Sequence, residues 1–576
     1  MKQFILPTLL ALSIFASKSA NAQSTILWHR SYDSGTSDEG NHISINSQGS
    51  VYVAGLSTFG NSRNILSLKY DSTGTLVFAY KCNPELPGNL VKIERAVNSN
   101  IYALSSVALS GGDNAYSISK YTSSSTFKFQ YNSGDSVNYK FIPVDMAVDI
   151  AENVIIAGTF NDYVNNTKSG FFIKQISANG IDKWTRTYTG IGITQLYDLV
   201  IDNSSNVYVC GAQDLTANTG DFVIQKYNAN GVLQWTKTYN GTANLLDKGE
   251  KISVDNLTGN IYVAGTANYN GTANQSDNAL VKYNSAGSRQ WQRVFGHIGK
   301  NSTKEILFDA TGNAYVVGDA LDVANASGNQ PNRIFTAKFS SGGTQQWIRI
   351  HNNGNYIHEY AKSAVSDNSG NIYIGAEIKD SASFVSDMLA FKLSNAGTKR
   401  WEQRGDGAAG ENDFVSAIIK DNFSNVYVTG RNGNASYDVR TTRIADKIVS
   451  CGAGFTQLCY LNKTRCIANA SVASYISNGA TLGACVGLRK INEDEELATT
   501  KEISVYPNPS SNVFTLHIPE SENALLSVLD LTGREVLHFN DVKDNFTFGS
   551  ELNEGIYLVK ISSNSTTKIL KMIKGE

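Results

Sequence analysis

Candidate acid and base groups are concentrated in one short stretch, residues 351–362. It contains His351, Tyr356, His358 and Glu359, which could serve as acid, base and substrate platform. No Gly-x-Ser-x-Gly nucleophile motif, zinc-binding pair or phosphate-binding loop occurs in the sequence. Because a few polar residues often coincide in one loop by chance, the pattern favours binding over catalysis. A hydrolase or lyase is the alternative.

Carboxylates also recur in turns that end in Gly-Asn, at Asp255, Asp309 and Asp367. Calcium loops use such oxygen ligands, but they cluster several carboxylates within about twelve residues. An aspartate that caps its own turn explains each of these residues. We therefore predict no metal site and no cofactor.

The elements that position these residues are copies of one repeat. The copies align on a cation at successive spacings of 51, 54, 52, 56, 56, 54 and 51 residues, at Lys69, Lys120, Lys174, Lys226, Lys282, Lys338, Lys392 and Arg443. Each full copy holds four short segments of alternating apolar and polar residues, such as "NIYVAG" and "ALVKYN". Four half-buried strands per repeat are typical of a propeller blade. The 49 glycines, with only 8 prolines and 4 methionines, also suit short strands joined by tight turns.

An aromatic residue marks the fourth segment of seven copies, at Phe78, Phe129, Trp184, Trp235, Trp291, Trp347 and Trp401. The eighth copy ends before its fourth segment, whereas "ILWHRSY" at 26–32 is a fourth segment without a copy of its own. Pairing the two would remove an exposed sheet edge. The sequence therefore predicts an all-β, eight-bladed β-propeller closed by the N-terminal strand, with Trp28 as the closing aromatic. Open hairpin stacks and two smaller propellers are the alternatives.

Connections between the segments differ at the two ends of the predicted strands. One end has short turns such as "DNSGN" and "NANG", and the other has longer connections at 266–278, 319–333, 351–362 and 376–387. Long, unequal loops on a rigid scaffold commonly carry binding residues. The predicted binding residues, which could stack on or hydrogen-bond a sugar ring, are Tyr269, Asn274, Asp277, Asp322, Arg333, Tyr356, His358 and Glu359.

The chain begins with features of an export signal. Lys2 precedes an apolar run from Phe4 to Ala16, and Ala20–Ala22 provides a small-residue cleavage site, which predicts a signal peptide over 1–22. The sequence contains no uninterrupted run of about 18 apolar residues, so it predicts no transmembrane segment. The formal net charge is −2, and the basic residues do not form a block in the sequence. We therefore do not expect nucleic acid as a partner.

Four cysteines follow the repeats, at Cys451, Cys459, Cys466 and Cys485. In an exported chain they predict two disulfides within a small module at 447–490, with three possible pairings. An acidic linker at 491–502 separates this module from a β-rich tail at 503–576.

Two resemblances extend these predictions. The repeats over 26–446 resemble the SBBP β-propeller repeat, with matches at Asp221, Phe222, Val223, Lys226, Asp255, Gly259, Asn260, Tyr262 and Gly265. The tail resembles the type A C-terminal sorting domain of type IX secretion in Bacteroidetes, through "VYPNPSSN", Asp530, Gly533, Val536, "GIYLV", Lys568 and Lys571. By itself the tail predicts a small β-sandwich. The resemblance implies Sec export, recognition by the type IX machinery, passage through the outer membrane, and removal of the tail with release or attachment at the cell surface.

Together these features predict a secreted or surface-displayed propeller over 23–446. We expect it to bind an extracellular glycan or protein without catalysis. The alternative is an extracellular propeller enzyme that acts on polysaccharide.

Overall fold

The structure is a computed structural model of the 576-residue chain. It describes residues 24–446 with breaks at 47–48, 61, 83–87, 97, 109–113, 123–125, 134–138, 163–168, 191, 217–218, 242–243, 271–274, 297–298, 322–330, 353–355, 381–384, 406–410, 422–424 and 434–435. It then describes 455–460, 463–468 and 481–482, and 504–574 with breaks at 507–512, 518–523, 531–533, 544 and 563–566. The predicted signal peptide and acidic linker lie outside these residues.

The regular secondary structure of the described residues consists of β-strands. The strands of 24–446 form eight four-stranded antiparallel sheets. The chain begins with β1 (Thr25–Tyr32). The first four sheets then follow in chain order: β2 (Ser37–Ile45), β3 (Val51–Phe59), β4 (Ser62–Tyr70) and β5 (Leu76–Cys82); β6 (Asn89–Arg95), β7 (Ile101–Ala108), β8 (Asn114–Tyr121) and β9 (Phe127–Asn132); β10 (Tyr139–Val148), β11 (Val154–Asp162), β12 (Ser169–Ile176) and β13 (Asp182–Thr189); β14 (Gln195–Ile201), β15 (Val207–Gln213), β16 (Asp221–Tyr227) and β17 (Leu233–Tyr239).

The fifth to seventh sheets have the same order: β18 (Leu246–Asp255), β19 (Asn260–Asn270), β20 (Gln275–Tyr283) and β21 (Arg289–Phe295); β22 (Asn301–Phe308), β23 (Ala314–Leu321), β24 (Asn332–Phe339) and β25 (Gln345–His351); β26 (Tyr356–Ser366), β27 (Ile372–Asp380), β28 (Ser386–Leu393) and β29 (Lys399–Gly405). The eighth sheet differs, because β1 completes a set of three: β30 (Asn412–Lys420), β31 (Asn425–Gly433) and β32 (Asp438–Ala445).

The sheets form a closed cycle of neighbours. The first strand of each sheet contacts the first strand of the next, and β30 of the eighth sheet contacts β2 of the first. Strand β1 pairs antiparallel with β32, and Trp28 lies opposite Arg443. This is the arrangement of blades in a β-propeller, and the N-terminal strand occupies the outer place that the sequence predicts for it.

The interface between consecutive sheets, here called a seam, is held by the repeated aromatic residue. The indole Nε1 of Trp184 donates to the Ala229 carbonyl in the next sheet at 3.1 Å, and that of Trp291 donates to the Ser341 carbonyl at 3.1 Å. A glycine in the same turn allows the close approach, since a Cβ on Gly231 would lie 2.5 Å from the Trp184 ring. The seam between the eighth and first sheets shares this close approach, because a Cβ on Gly74 would lie 2.6 Å from the Trp28 ring, but the Trp28 indole has no hydrogen-bond acceptor within the described residues.

The repeated cation also crosses the seam. Lys282 Nζ lies 5.2 Å from the centre of the Tyr262 ring and donates to the Ser341 carbonyl of the next sheet at 2.9 Å. Lys120 donates to the Ala178 carbonyl at 2.9 Å in the same way. The repeated lysine therefore joins neighbouring sheets.

The capping role of the turn aspartates is visible in their hydrogen bonds. Asp367 Oδ1 accepts from the backbone N–H groups of Ser369 and Asn371 at 3.0 and 2.9 Å, and its Oδ2 accepts from Tyr373 at 3.0 Å. These bonds use both carboxylate oxygens within the turn. They stabilise this aspartate in its charged form and hold its pKa below the ordinary value, although burial acts in the opposite direction.

The first strands carry a ring of equivalent residues. Each first strand has a one-residue β-bulge, and the residues that follow the bulges form what we call the inner ring: His42, Lys92, Asp145, Asp198, Lys251, Glu305, Ser363 and Ala417. Lys92 pairs with Asp145 at 2.5 Å and Lys251 with Asp198 at 2.9 Å. Among the described residues no hydrogen-bond donor reaches the Glu305 carboxylate, and burial raises its pKa to about 7 although Lys251 acts to lower it.

Three short segments complete the description of the first compact unit, residues 1–488. Strands β33 (Phe455–Tyr460), β34 (Lys463–Ala468) and β35 (Thr481–Leu482) form a sheet in the order β34-β33-β35. Cys459 and Cys466 lie on β33 and β34, but their side chains and all of Cys451 and Cys485 lie outside the description. The predicted disulfides therefore remain predictions.

The second compact unit, residues 489–576, contains two sheets. They are built from β36 (Ser504–Tyr506), β37 (Phe514–His517), β38 (Ala524–Leu529), β39 (Glu535–Val542), β40 (Phe546–Phe548), β41 (Gly555–Ser562) and β42 (Thr567–Lys574). The orders are β36-β37-β40 and β39-β38-β41-β42. Phe514 and Phe548 from the first sheet share one buried apolar cluster with Leu526 and Val559 from the second.

Candidate functional site

Those predicted binding residues that the structure describes lie near the ends of strands in the fifth to seventh sheets, and part of the expected loop sequence is strand. Strand β19 extends to Asn270 and β20 begins at Gln275, so 266–278 is mostly a continued hairpin. Strand β27 similarly extends to Asp380. The sequence reading was wrong here, because backbone pairing continues through polar residues that look like loop sequence.

The structure describes the predicted binding residues to different extents. Asn274 and Asp322 lie outside the described residues, and only the backbones of Tyr269 and Tyr356 are described, on β19 and β26. Asp277 is half-buried, and its Oδ2 accepts a 3.5 Å hydrogen bond from Asn268.

The other three residues meet between the sixth and seventh sheets. Arg333 and Glu359 are 6% and 0% exposed, and the closest guanidinium and carboxylate atoms are 3.9 Å apart. His358 Nδ1 accepts from the Asn332 backbone N–H at 3.1 Å. Burial lowers the pKa of His358, and Lys379 and Arg333 add to that effect. Because Arg333 and Glu359 are buried, they support the site from inside rather than projecting into solvent.

His351 is held between two carboxylates. Its Nδ1 lies 3.1 Å from Glu359 Oε2 and its Nε2 lies 3.1 Å from Glu402 Oε2. Burial opposes the charging of the ring, but the two hydrogen bonds raise the pKa of His351 above its ordinary value. The hydrogen bond from His351 contributes most to lowering the pKa of Glu402 to about 2. Both imidazole nitrogens are engaged, so neither is available as a base for a bound substrate.

Glu359 occupies a position that is buried and polar in other sheets. It lies four residues before the inner-ring position, and the corresponding residues are Asp38, Asp247, Asn301 and Asp413, all 0 or 1% exposed. Asp247, for example, accepts from the backbone N–H groups of Gly241 and Asn268 at 2.6 and 2.8 Å. The repeated location indicates a positioning role for Glu359.

A cavity of about 190 Å³ lies beside His351 at the seam between the sixth and seventh sheets. We call it the cleft, and its lining residues are Ile334, Thr336, Arg349, Ile350, His351, Asn352, Phe391, Leu393, Gly397 and Lys399. Phe391 stacks on the His351 ring with centroids 4.3 Å apart. The combination of an apolar floor with a few polar groups is typical of small-molecule sites, although this volume is below the roughly 300–1,000 Å³ of drug-sized pockets. The cleft has room for one small chemical unit.

The sequence analysis did not predict most of the residues that line the cleft. A comparison of the repeats could have indicated its position. Four residues after the repeated tryptophan, other sheets carry the large aromatic residues Tyr32, Tyr188, Tyr239 and Phe295. In the fifth sheet, Phe295 packs on Phe339 with centroids 4.9 Å apart. The sixth sheet has His351 at this position, and the buried partner Glu359 accompanies it.

No group of three or more histidine, cysteine, aspartate or glutamate side chains among the described residues could hold a metal ion. No helix among those residues is long and apolar enough to cross a membrane.

Comparison with solved structures finds folds of the propeller type at low similarity. An ulvan lyase of polysaccharide lyase family 25, bound to a sulfated disaccharide unit, has 12% identity and a TM-score of 0.38, over 63% of this chain and 95% of that one. The β-propeller domain of the trilobed protease from Pyrococcus furiosus has 6% identity and a TM-score of 0.36, over 62% and 92%. A protein of unknown function from Dyadobacter fermentans has 10% identity and a TM-score of 0.34, over 74% and 99%. Identities this low do not transfer an activity.

The C-terminal unit gives the specific match. Residues 504–575 match the family of secretion system C-terminal sorting domains. A comparison with curated proteins finds no significant sequence relative. The sorting-domain match confirms the prediction from the tail: this protein is exported by type IX secretion and is secreted or attached at the outer-membrane surface.

Proposed function

We propose that this protein is a noncatalytic binding protein for an extracellular glycan, which it engages at the cleft and at the neighbouring strand ends of the fifth to seventh sheets. The observation that carries the proposal is the engagement of His351 by both Glu359 and Glu402 at 3.1 Å. A site with a shaped cavity, an aromatic wall and no uncommitted acid–base pair is suited to holding a sugar rather than cleaving it.

The proposal includes the finer architecture predicted from the sequence. A closed eight-bladed propeller of SBBP-type repeats would present the cleft on a rigid scaffold, and the pairing of β1 with β32 supports closure. A cleaved signal peptide, a disulfide-stapled module and a cleavable sorting domain would deliver that scaffold to the cell exterior. The export route supports an extracellular ligand.

A glycan array probed with the mature full-length chain tests the proposal. Thr336 lines the cleft and is 2% exposed, and the fifth sheet has Leu280 at the equivalent position. Thr336→Leu should therefore partly fill the cleft with a side chain that a neighbouring sheet already accommodates. We expect binding by the wild-type chain and much weaker binding by the variant at an unchanged melting temperature. A protein that binds no glycan, or that shortens the glycan, would contradict the proposal.

A further inference from the structure

The mouth of the cleft carries more positive than negative charge. The cationic side chains that line it are Arg349 and Lys399, both exposed, and the carboxylate of Glu402 pairs with Lys399. Glu402 already accepts from His351 and from Lys399, at 3.1 and 2.6 Å. Glu359 is likewise shared between His351 and Arg333. Two exposed cations against one paired carboxylate leave a positive excess at the mouth of the cleft.

Arg349 carries the accessible part of this excess. Its side chain is exposed, and its guanidinium lies 5.6 Å from the centre of the Trp347 ring. Nη1 donates to the Ile348 carbonyl at 2.9 Å, which orients the group and leaves other N–H donors facing outward. Within the described chain, no carboxylate forms an ion pair with Arg349. A planar guanidinium held in place in this way is suited to a carboxylate or a sulfate.

The cleft floor supplies the complementary surface. Ile334, Ile350, Phe391 and Leu393 line it with apolar atoms. The C–H face of a sugar ring can pack on such a surface while its charged substituent meets the cations at the rim. We therefore propose that the cleft recognises an acidic sugar unit, one that carries a carboxylate or a sulfate ester. This inference rests on the proposed glycan-binding function and names its ligand class.

The seam between the fifth and sixth sheets provides an internal control. Arg293 occupies the position of Arg349, lies 5.7 Å from the Trp291 ring and donates to the Gln292 carbonyl at 2.6 Å. The residues equivalent to His351 and Lys399 at that seam are Phe295 and Gln345. Arg293 therefore has the geometry of Arg349 without the surrounding cations.

The test titrates the mature full-length chain with three oligosaccharides of equal length, one rich in uronate, one sulfated and one neutral. We expect at least one acidic oligosaccharide to bind at least tenfold more tightly than the neutral one. Arg349→Gln should remove this preference, whereas Arg293→Gln should retain it at the same melting temperature. The uronate and sulfate arms identify which anionic group is recognised. A second variant, Lys399→Gln, should weaken the same binding.

The possible failures are distinguishable. Equal affinity for all three oligosaccharides would overturn the acidic-sugar inference and leave glycan binding intact. No binding to any oligosaccharide, here and on the array, would overturn the proposed function itself. Equal losses in Arg349→Gln and Arg293→Gln would show that the cleft is not the place of recognition.

Discussion

The indole Nε1 of Trp401 donates to the carboxylate Oδ1 of Asp446 at 2.6 Å, where the other tryptophans with this contact donate to a backbone carbonyl. The difference has a topological cause. The fourth strand of the eighth sheet is β1, so β32 does not continue through a turn into the fourth strand of its own sheet. Asp446, which is 4% exposed, also accepts from Lys392 at 2.7 Å. The Asp446 carboxylate thus provides the acceptor that a backbone carbonyl provides at the other tryptophan seams.

Replacing Asp446 should destabilise the propeller. Asp446→Ala leaves Lys392 and Trp401 unpaired in a buried place, and removal of one partner of such a pair costs about 3–5 kcal/mol. Asp446→Asn keeps an oxygen acceptor and should cost less. Chemical denaturation of the three proteins checks this order, and equal stability of the alanine variant and the wild type would contradict the role of Asp446.

The N-terminal strand β1, which completes the eighth sheet, should contribute strongly to the stability of the propeller. Trp28 is 6% exposed, and Trp28→Ala should lower the free energy of unfolding by about 3–5 kcal/mol. Phe59, which is 75% exposed, is the matched control, and Phe59→Ala should change stability by less than about 0.5 kcal/mol. Deletion of 24–33 should lower the melting temperature more strongly than either substitution. An unchanged melting temperature after the deletion would rule out the closed ring.

The contribution of the tryptophan–glycine contact to stability can be distinguished from the cost of placing alanine at a positive φ angle. Gly231 and Gly35 have φ angles of +73° and +81°, so alanine at either site carries a left-handed conformational cost of about 1–2 kcal/mol. A Cβ on Gly231 would meet the Trp184 ring at 2.5 Å, whereas nothing lies within 4 Å of a Cβ on Gly35. Gly231→Ala should therefore cost about 1–3 kcal/mol more than Gly35→Ala. Denaturation curves measure the difference, and equal losses would show that the contact is unimportant.

The inner ring predicts a pH dependence of stability. The pKa of Glu305 is raised in the folded chain from 4.5 to about 7, so the folded state binds this proton more strongly than the unfolded state. The stabilisation that results is complete below pH 4.5 and is lost as the pH rises through about 7. The charged groups that face Glu305 are Lys251, Asp198, Lys92 and Asp145.

Glu305→Gln removes this titration. The melting temperature of the variant minus that of the wild type should increase between pH 4.5 and 7 and then remain level. Thermal melts in a series of buffers measure the difference. A difference that is constant with pH would contradict the assigned titration.

The sorting domain should affect export alone. Deletion of 503–576 removes the segment that matches the sorting-domain family and leaves the first compact unit intact. We expect the truncated protein to fold and to accumulate in the periplasm, as fractionation with an antibody against the propeller would show. Recovery of the truncated protein from the medium at normal yield would exclude a sorting role for the tail.

The sequence predicts the repeated structure well because period and alternation are local properties. The spacing of Lys282 and Trp291 recurs in other copies, and both residues have equivalent places in successive sheets. The pairing of the N-terminal strand with the eighth sheet could also be predicted, because the sequence shows both an incomplete eighth repeat and a surplus fourth segment at 26–32. Both features can be detected by comparing one segment of the sequence with another.

The partners across the seams could not be predicted in the same way. His351 and Glu402 are 51 residues apart and meet only because consecutive sheets pack face to face. The role of Asp446 follows from the pairing of β32 with β1, which comes from the other end of the propeller. Burial is also invisible locally, so Arg333 and Glu359 look like loop residues in the sequence although they lie inside the structure.

Binding without catalysis is the central claim, and one experiment on the mature full-length chain tests it most directly. The glycan that binds best on the array is titrated into the protein, and the same mixture is then kept at working temperature and analysed for chain length by size-exclusion chromatography. We predict saturable binding that Thr336→Leu weakens, with no change in the length of the glycan. Progressive shortening of the glycan by the wild-type chain, abolished by His351→Ala, would contradict the claim and establish an enzyme.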